Sequence, residues 1–544
     1  MTNRRSFLTL LGAGCGTLRT SWGQSRSAPN PGVAAGREGG QLFWTVETTS
    51  GKVQGIANSG IKEFKGIPYG APTGGKNRYM PPKKPAAWTN VRECFGHGPV
   101  CPQTLASLNS DYAMLIQWDL HVGGMSEDCL SLNVWTPGVN DGQKRAVMVS
   151  FHGGGFATGS GNGPQYDGAQ LAKFGDVVVV TVNHRLASYG YLHVADLGAP
   201  SEFAYAGVVG MMDLVASLEW VRDNIERFGG DSEKVMVFGQ SGGGAKTSTI
   251  LAMPSAKGLF HSAGVQSGST IRSATREQGT KSAELLLAKL GISKGNIADI
   301  QKVSWQQILD AQTALGTTAN FTPVVDGTLL PHHPFDPTAP PESADVPVVI
   351  STTLEDAALR LTNFDLDEAS LKKIVNERYG AKAEHMLALY RERYPNKSPF
   401  LIQAQIFTDE GARRNAMLQA ERKSALGKAP AYMYLWAFAS SGFDGKFGAV
   451  HGTDVSASFD NYRDGVGGSG SRPERALWDR FASAWVSLAK TGNPNNTQIP
   501  NWSPYDASRR ATMIFDNELR VEDDPRSEIR KFWAEVPAPG AQRG

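Results

Sequence analysis

Five short apolar runs punctuate the chain. Val147-Met148-Val149-Ser150-Phe151 leads into His152-Gly153-Gly154-Gly155, and Val177 to Val182 leads into Asn183-His184-Arg185. Val235-Met236-Val237-Phe238 stops at Gly239, and Val348-Val349-Ile350 at Ser351-Thr352-Thr353. Tyr432 to Phe438 precedes a loop that reaches His451. β-Branched runs without polar alternation are the pattern of strands buried on both faces. Pro347, just before the fourth run, is tolerated at the first residue of a strand. Between the runs, Leu214 to Phe228 and Ala245 to Leu251 carry helical spacing. Strands alternating with helices predict an α/β fold, a mostly parallel sheet covered on both faces. Ligands in such folds bind beyond the carboxyl ends of the strands, where glycine and polar residues follow these runs.

Composition narrows the reading. The 544 residues are 40% hydrophobic and 19% charged, as in an ordinary globular enzyme. The formal charge is +2 and no basic block interleaves with aromatics, which argues against a nucleic-acid partner. Sixty-one glycines and thirty prolines imply turns and long loops rather than a helical bundle. No repeat period is visible, which argues against a solenoid.

The first residues read as an address. Asn3-Arg4-Arg5-Ser6-Phe7-Leu8 precedes a mild apolar run ending near Leu18, the pattern of a twin-arginine export signal. That run is shorter than the roughly 20 apolar residues a membrane span needs. The expectation is a signal over residues 1–23, a Ser/Pro/Gly/Ala-rich linker over 24–40 and one domain over 41–540. The destination would be periplasmic or extracellular. Cys15 leaves with the signal, so Cys94, Cys101 and Cys129 remain. No CxxC and no cysteine–histidine spacing suggests zinc.

The chemistry concentrates in three stretches. Gly239-Gln240-Ser241-Gly242-Gly243 matches G-x-S-x-G between a buried strand and a helix, a sharp turn that lifts a serine hydroxyl clear of the sheet. A phosphate-binding loop would need glycine before Lys246-Thr247, and Ala245 stands there. The glycines after His152 allow backbone N–H groups to approach a substrate oxygen. Gly154, Gly155 and Gly242 are therefore the expected oxyanion hole, each donor worth about 2.7–4 kcal/mol. A serine needs a base. Of ten histidines, His451 lies late in the chain, in the order serine, acid, histidine that this fold uses. His152 and His184 precede the serine and read as structural, and His332-His333 as at most a weak metal pair. Glu355 and Asp356 follow the fourth run as candidate acids, and spacing alone leaves both open.

Further stretches resemble the type-B carboxylesterase family of bacterial p-nitrobenzyl esterases and cholinesterases. They are Phe64-Lys65-Gly66-Ile67-Pro68-Tyr69-Gly70, Glu127-Asp128-Cys129-Leu130-Ser131-Leu132-Asn133-Val134, Phe228-Gly229-Gly230-Asp231 and Gly492-Asn493-Pro494-Asn495 followed by Trp502. The resemblance implies the α/β-hydrolase fold, loop and helix insertions over the active site, and hydrolysis of a small-molecule carboxylic ester without metal or cofactor. It places the acid at Asp356, where the family usually has glutamate, and alanine at the position of Gly242. It also implies a Cys101–Cys129 disulfide and an Arg78–Glu127 ion pair at the pocket rim. Two other readings of the same fold are a catalytically silent binding module, which would typically lack the serine, and a long-chain lipase. The lipase would need an apolar lid, and Asp464 to Gly470 is glycine-rich instead. Oligomeric state is not legible.

Overall fold

The computed structural model describes residues 41–105, 110–116, 122–462 and 472–537. The expected signal and linker, and the Asp464–Gly470 loop, lie outside them. Among the described residues thirteen strands form one sheet: β1 (Phe43–Thr48), β2 (Gly51–Asn58), β3 (Ile61–Pro68), β4 (Arg92–Glu93), β5 (Ser131–Thr136), β6 (Arg145–Phe151), β7 (Val178–Val182), β8 (Gly230–Gln240), β9 (Ser262–Gln266), β10 (Val348–Thr353), β11 (Ala431–Trp436), β12 (Thr512–Phe515) and β13 (Arg520–Glu522). Their order is β1-β2-β3-β5-β7-β6-β8-β9-β10-β11-β12-β13, with β4 beside β2. Strands β7 to β12 are parallel to one another, and antiparallel pairs close both edges. All five apolar runs are strands of this sheet. β9 and β12 were not foreseen, because Ser-Ala-Gly-Val-Gln is too small and too polar to stand out as a buried run, and Thr-Met-Ile-Phe is short.

Alternate side chains of each central strand enter different cores. Val147, Val149, Val235 and Val237 pack with Leu214, Leu218 and Val221 of the Val209–Asn224 helix. Met148, Met236 and Phe238 pack with Trp478, Phe481 and Trp485 of the Arg472–Thr491 helix. The period of two along a strand makes this division, so a strand apolar on both sides must be covered on both sides.

The order of the central strands places the site. After β6 the chain moves outward to β7, then returns to lay β8 on the other side of β6. A crevice opens where the direction reverses, at the carboxyl ends of β6 and β8. Phe151 pairs with Gly239 there, so the glycine loop and the serine turn leave the sheet side by side. Gln240 pairs with Gln266, and Gln266 with Ser351, which brings the end of β10 to the same edge.

Polar ties hold the loops above this edge. Arg185, just after β7, is buried with Asp213 of the Val209–Asn224 helix. Its Nη2 donates to Oδ1 at 2.6 Å and its Nε to Oδ2 at 2.8 Å. Arg78 grips Glu127 with two hydrogen bonds of 2.5 and 2.6 Å and donates from Nη1 to the carbonyls of Ile300 and Val303.

The expected Cys101–Cys129 bridge is not formed. Both are buried thiols, as is Cys94. Cys101 Sγ accepts from the Leu186 N–H at 3.2 Å. The neighbouring Cys101 thiol, then burial, raises Cys129 well above the ordinary cysteine range.

Candidate active site

Ser241 joins β8 to the Gly242–Ile250 helix with φ 60° and ψ −123°, a left-handed backbone costly for a residue with a side chain. Its N–H donates to the Gln266 carbonyl at 2.8 Å and its carbonyl accepts from Ala245 at 2.9 Å, so sheet and helix impose the turn together. The first amides of the helix are thereby presented at the serine.

Gly154 and Gly155 both have positive φ, at 84° and 64°. The glycine loop and the serine turn touch through bare backbone. A Cβ built on Gly242 would meet the Gly155 carbonyl oxygen at 2.2 Å and its amide nitrogen at 2.3 Å. Glycine at 242, where the resemblance implies alanine, is therefore a steric requirement of this loop. The three expected oxyanion donors come from these two touching segments.

His451 Nδ1 lies 2.9 Å from Asp356 Oδ1. A carboxylate only accepts, so Nδ1 carries the hydrogen and Nε2 keeps its lone pair. The other Asp356 oxygen accepts from Thr353 Oγ1 at 3.1 Å. Burial alone would lower the imidazole, but the charge and hydrogen bond of Asp356 outweigh it and raise His451 above its ordinary range. Burial would raise Asp356, yet the same pairing holds it below the usual carboxylate range. Tyr112 fixes the histidine's backbone by donating from its hydroxyl to the His451 carbonyl at 3.0 Å.

Glu355 points elsewhere. It is fully buried, accepts from Gln405 Nε2 at 2.7 Å and from Lys397 Nζ through one oxygen, and from the Ala449 N–H at 2.9 Å through the other. Its own N–H donates to the Ala449 carbonyl at 3.0 Å. Glu355 thus holds the segment that presents His451, and Asp356 meets the ring.

Ser241 and His451 line one cavity of about 180 Å³ with Gly153, Gly154, Tyr166 and Leu359. Tyr166, Tyr112 and Leu359 carry no motif and reach the site only through folding. Tyr166 Oη accepts from the Gly153 N–H at 3.0 Å, at the base of the glycine loop. His152 and His184 are buried and stacked on one another at 5.1 Å. His332 contacts the His333 carbonyl and Glu342, and no cluster of three metal-ligating side chains exists among the described residues. No described helix is long and apolar enough to cross a membrane.

Comparison with known proteins identifies the family. Residues 44–533 match the model of the carboxylesterase family. The chain is 34% identical to the para-nitrobenzyl esterase of Bacillus subtilis (strain 168), over 89% of this chain and 97% of that protein. A crystal structure of a Geobacillus stearothermophilus carboxylesterase superposes with a TM-score of 0.77 at 34% identity, covering 90% of this chain and 99% of that one. An esterase from Clostridium hathewayi, described as hydrolysing aliphatic aromatic polyesters, superposes at 0.78 with 29% identity, covering 91% and 98%.

Fold and site together define a serine hydrolase of the α/β-hydrolase class. Its match to the family model spans nearly all of the described residues. The chain belongs to the carboxylesterase family and hydrolyses carboxylic esters.

Proposed function

We propose that Ser241, His451 and Asp356 form the catalytic triad and that the amides of Gly154, Gly155 and Gly242 form the oxyanion hole. Ser241 Oγ attacks the ester carbonyl carbon as His451 Nε2 takes its proton. The carbonyl π electrons move onto oxygen, where the three amides stabilise the charge. Collapse of this intermediate breaks the C–O bond to the alcohol, and His451 returns the proton to the departing oxygen. Water then attacks the acyl-enzyme by the same route and releases the acid. Asp356 holds the ring in the Nδ1–H tautomer and stabilises the imidazolium. The observation that supports this most is the 2.9 Å His451–Asp356 contact, with His451 and the left-handed Ser241 lining one cavity.

The test is stoichiometric labelling with a fluorophosphonate. Wild-type protein should take up one equivalent and lose esterase activity, and Ser241→Ala should do neither. Full activity in Ser241→Ala would remove the proposal.

The substrates we infer are small esters. The cavity of about 180 Å³ falls below the roughly 300–1,000 Å³ of sites that enclose drug-sized ligands. Among p-nitrophenyl esters, turnover should peak at acetate to butyrate, and a maximum at long acyl chains would favour the lipase reading. We also read the Arg4-Arg5 stretch as an export signal, which substitution of both arginines by lysine, followed by cell fractionation, would test.

A further inference from the structure

Lys246 is wholly buried in the Gly242–Ile250 helix. It stands four residues after Gly242, about 6 Å further along the same helix face. Helical side chains lean toward the N-terminus, so this one reaches back toward the serine turn. Its Nζ donates to the His152 carbonyl at 2.8 Å and lies 6.0 Å from the centre of the Phe156 ring. Both residues belong to the loop that carries Gly154 and Gly155.

No carboxylate pairs with Lys246 among the described residues, and burial pulls its ammonium down to about 7. The nearby imidazoles supply no negative charge. In His152 and His184, Nδ1 faces a carbonyl, of Gly153 and of Arg185, each at 2.8 Å. Carbonyls only accept, so Nδ1 holds the hydrogen in both rings. Burial, then the charge of Lys246, keeps both well below the ordinary histidine range and therefore neutral. An apolar side chain of this size would avoid the cost of burying an amine that has no carboxylate partner. Packing therefore gives no reason for a lysine here, and the hydrogen bond to His152 gives one.

That bond closes a clamp on one peptide unit. The His152 carbonyl is held by Lys246, and the N–H of the same unit, from Gly153, is held by Tyr166 Oη at 3.0 Å. His152 Nδ1 fixes the next carbonyl, that of Gly153. Lys246 thus ties the helix that offers the Gly242 amide to the loop that offers the amides of Gly154 and Gly155.

We propose that Lys246 is a positioning residue for ester hydrolysis, which fixes the two halves of the oxyanion hole against each other by donating from the nucleophile's helix to the His152 carbonyl. The inference rests on the serine-esterase reading above. Both protonation states of the amine can donate, so the tie persists when the charge is lost.

The experiment compares wild type with Lys246→Met and Lys246→Gln, using p-nitrophenyl butyrate and a trifluoromethyl ketone that forms a tetrahedral adduct with the serine. Removing one oxyanion donor costs about 10²–10³ in kcat, so misplacing donors in the methionine variant should cost about 10–100-fold. KM should stay within about threefold, and affinity for the ketone should fall in step with kcat/KM. Glutamine, which keeps an N–H donor, should lie between, and it carries the test if the methionine variant does not fold. Folded variants with kcat and ketone affinity within about twofold of wild type would overturn the proposal. So would equal weakening of KM and ketone binding, because that marks general loosening of the pocket. Ser241→Ala, run in parallel, separates the two claims: activity surviving there would sink the serine reading itself.

Discussion

Glu355 accepts a hydrogen bond from the Ala449 N–H at 2.9 Å, two residues before His451. The residue beside Glu355, Asp356, meets the histidine ring. Two adjacent carboxylates therefore serve one imidazole in different ways, one by holding its loop and the other by touching its ring. Glu355 lies in an isolated bridge to Val450 beyond the end of β10 and Asp356 opens the 3-10 turn that follows, so the chain changes course between them and their side chains diverge.

The two carboxylates should separate kinetically. Asp356→Asn should lower kcat by about 10⁴, because the amide no longer enforces the Nδ1–H tautomer. Glu355→Gln keeps an oxygen for Ala449 but leaves Lys397 unpaired. It should cost about 1–3 kcal/mol of stability and less than tenfold in kcat. Steady-state kinetics with urea unfolding of both variants checks this, and the reverse ordering would move the acid to Glu355.

The pH profile follows from the same pair. His451 must be neutral to accept the serine proton, and its pKa is raised above 6.5, so kcat/KM should fall as pH drops through a midpoint above 6.5. Asp356 is held low and stays ionised across that range. In Asp356→Asn the raising charge is gone while burial remains, so the residual activity should show its acidic limb at lower pH. A limb that does not move would contradict the pairing.

Gly242→Ala should damage catalysis even though alanine is a better helix former. The new Cβ would lie 2.3 Å from the Gly155 nitrogen and must displace one oxyanion segment from the other. A fall of about 10²–10³ in kcat is expected. Circular dichroism close to wild type would show that the fold is kept. Unchanged turnover would mean that the loop yields at no cost.

Asp213→Ala should act on stability. It would leave Arg185 buried, charged and short of its carboxylate, a change that costs about 3–5 kcal/mol. Replacing both residues with apolar side chains of similar volume should cost much less. Denaturant midpoints of the single and double variants would show whether that difference exists.

The chemistry written in contiguous residues was legible without a fold. A serine between glycines, placed between a β-branched strand and a helix, dictates its own turn because local backbone sterics permit little else, and the glycines after His152 do the same for their loop. The apolar runs announced buried strands because hydrophobic periodicity is itself local. Folding alone decided the rest. Asp356 was set apart from Glu355 by where the Ala449–His451 segment lands. Lys246 reads in sequence as part of a failed phosphate-loop match, and becomes a tie only when the helix packs on the end of β6. Cys101 and Cys129 stand as buried free thiols instead of a bridge. In each case the deciding quantity is a distance between segments far apart along the chain, and such distances are set by the packing of the whole sheet and its covering helices.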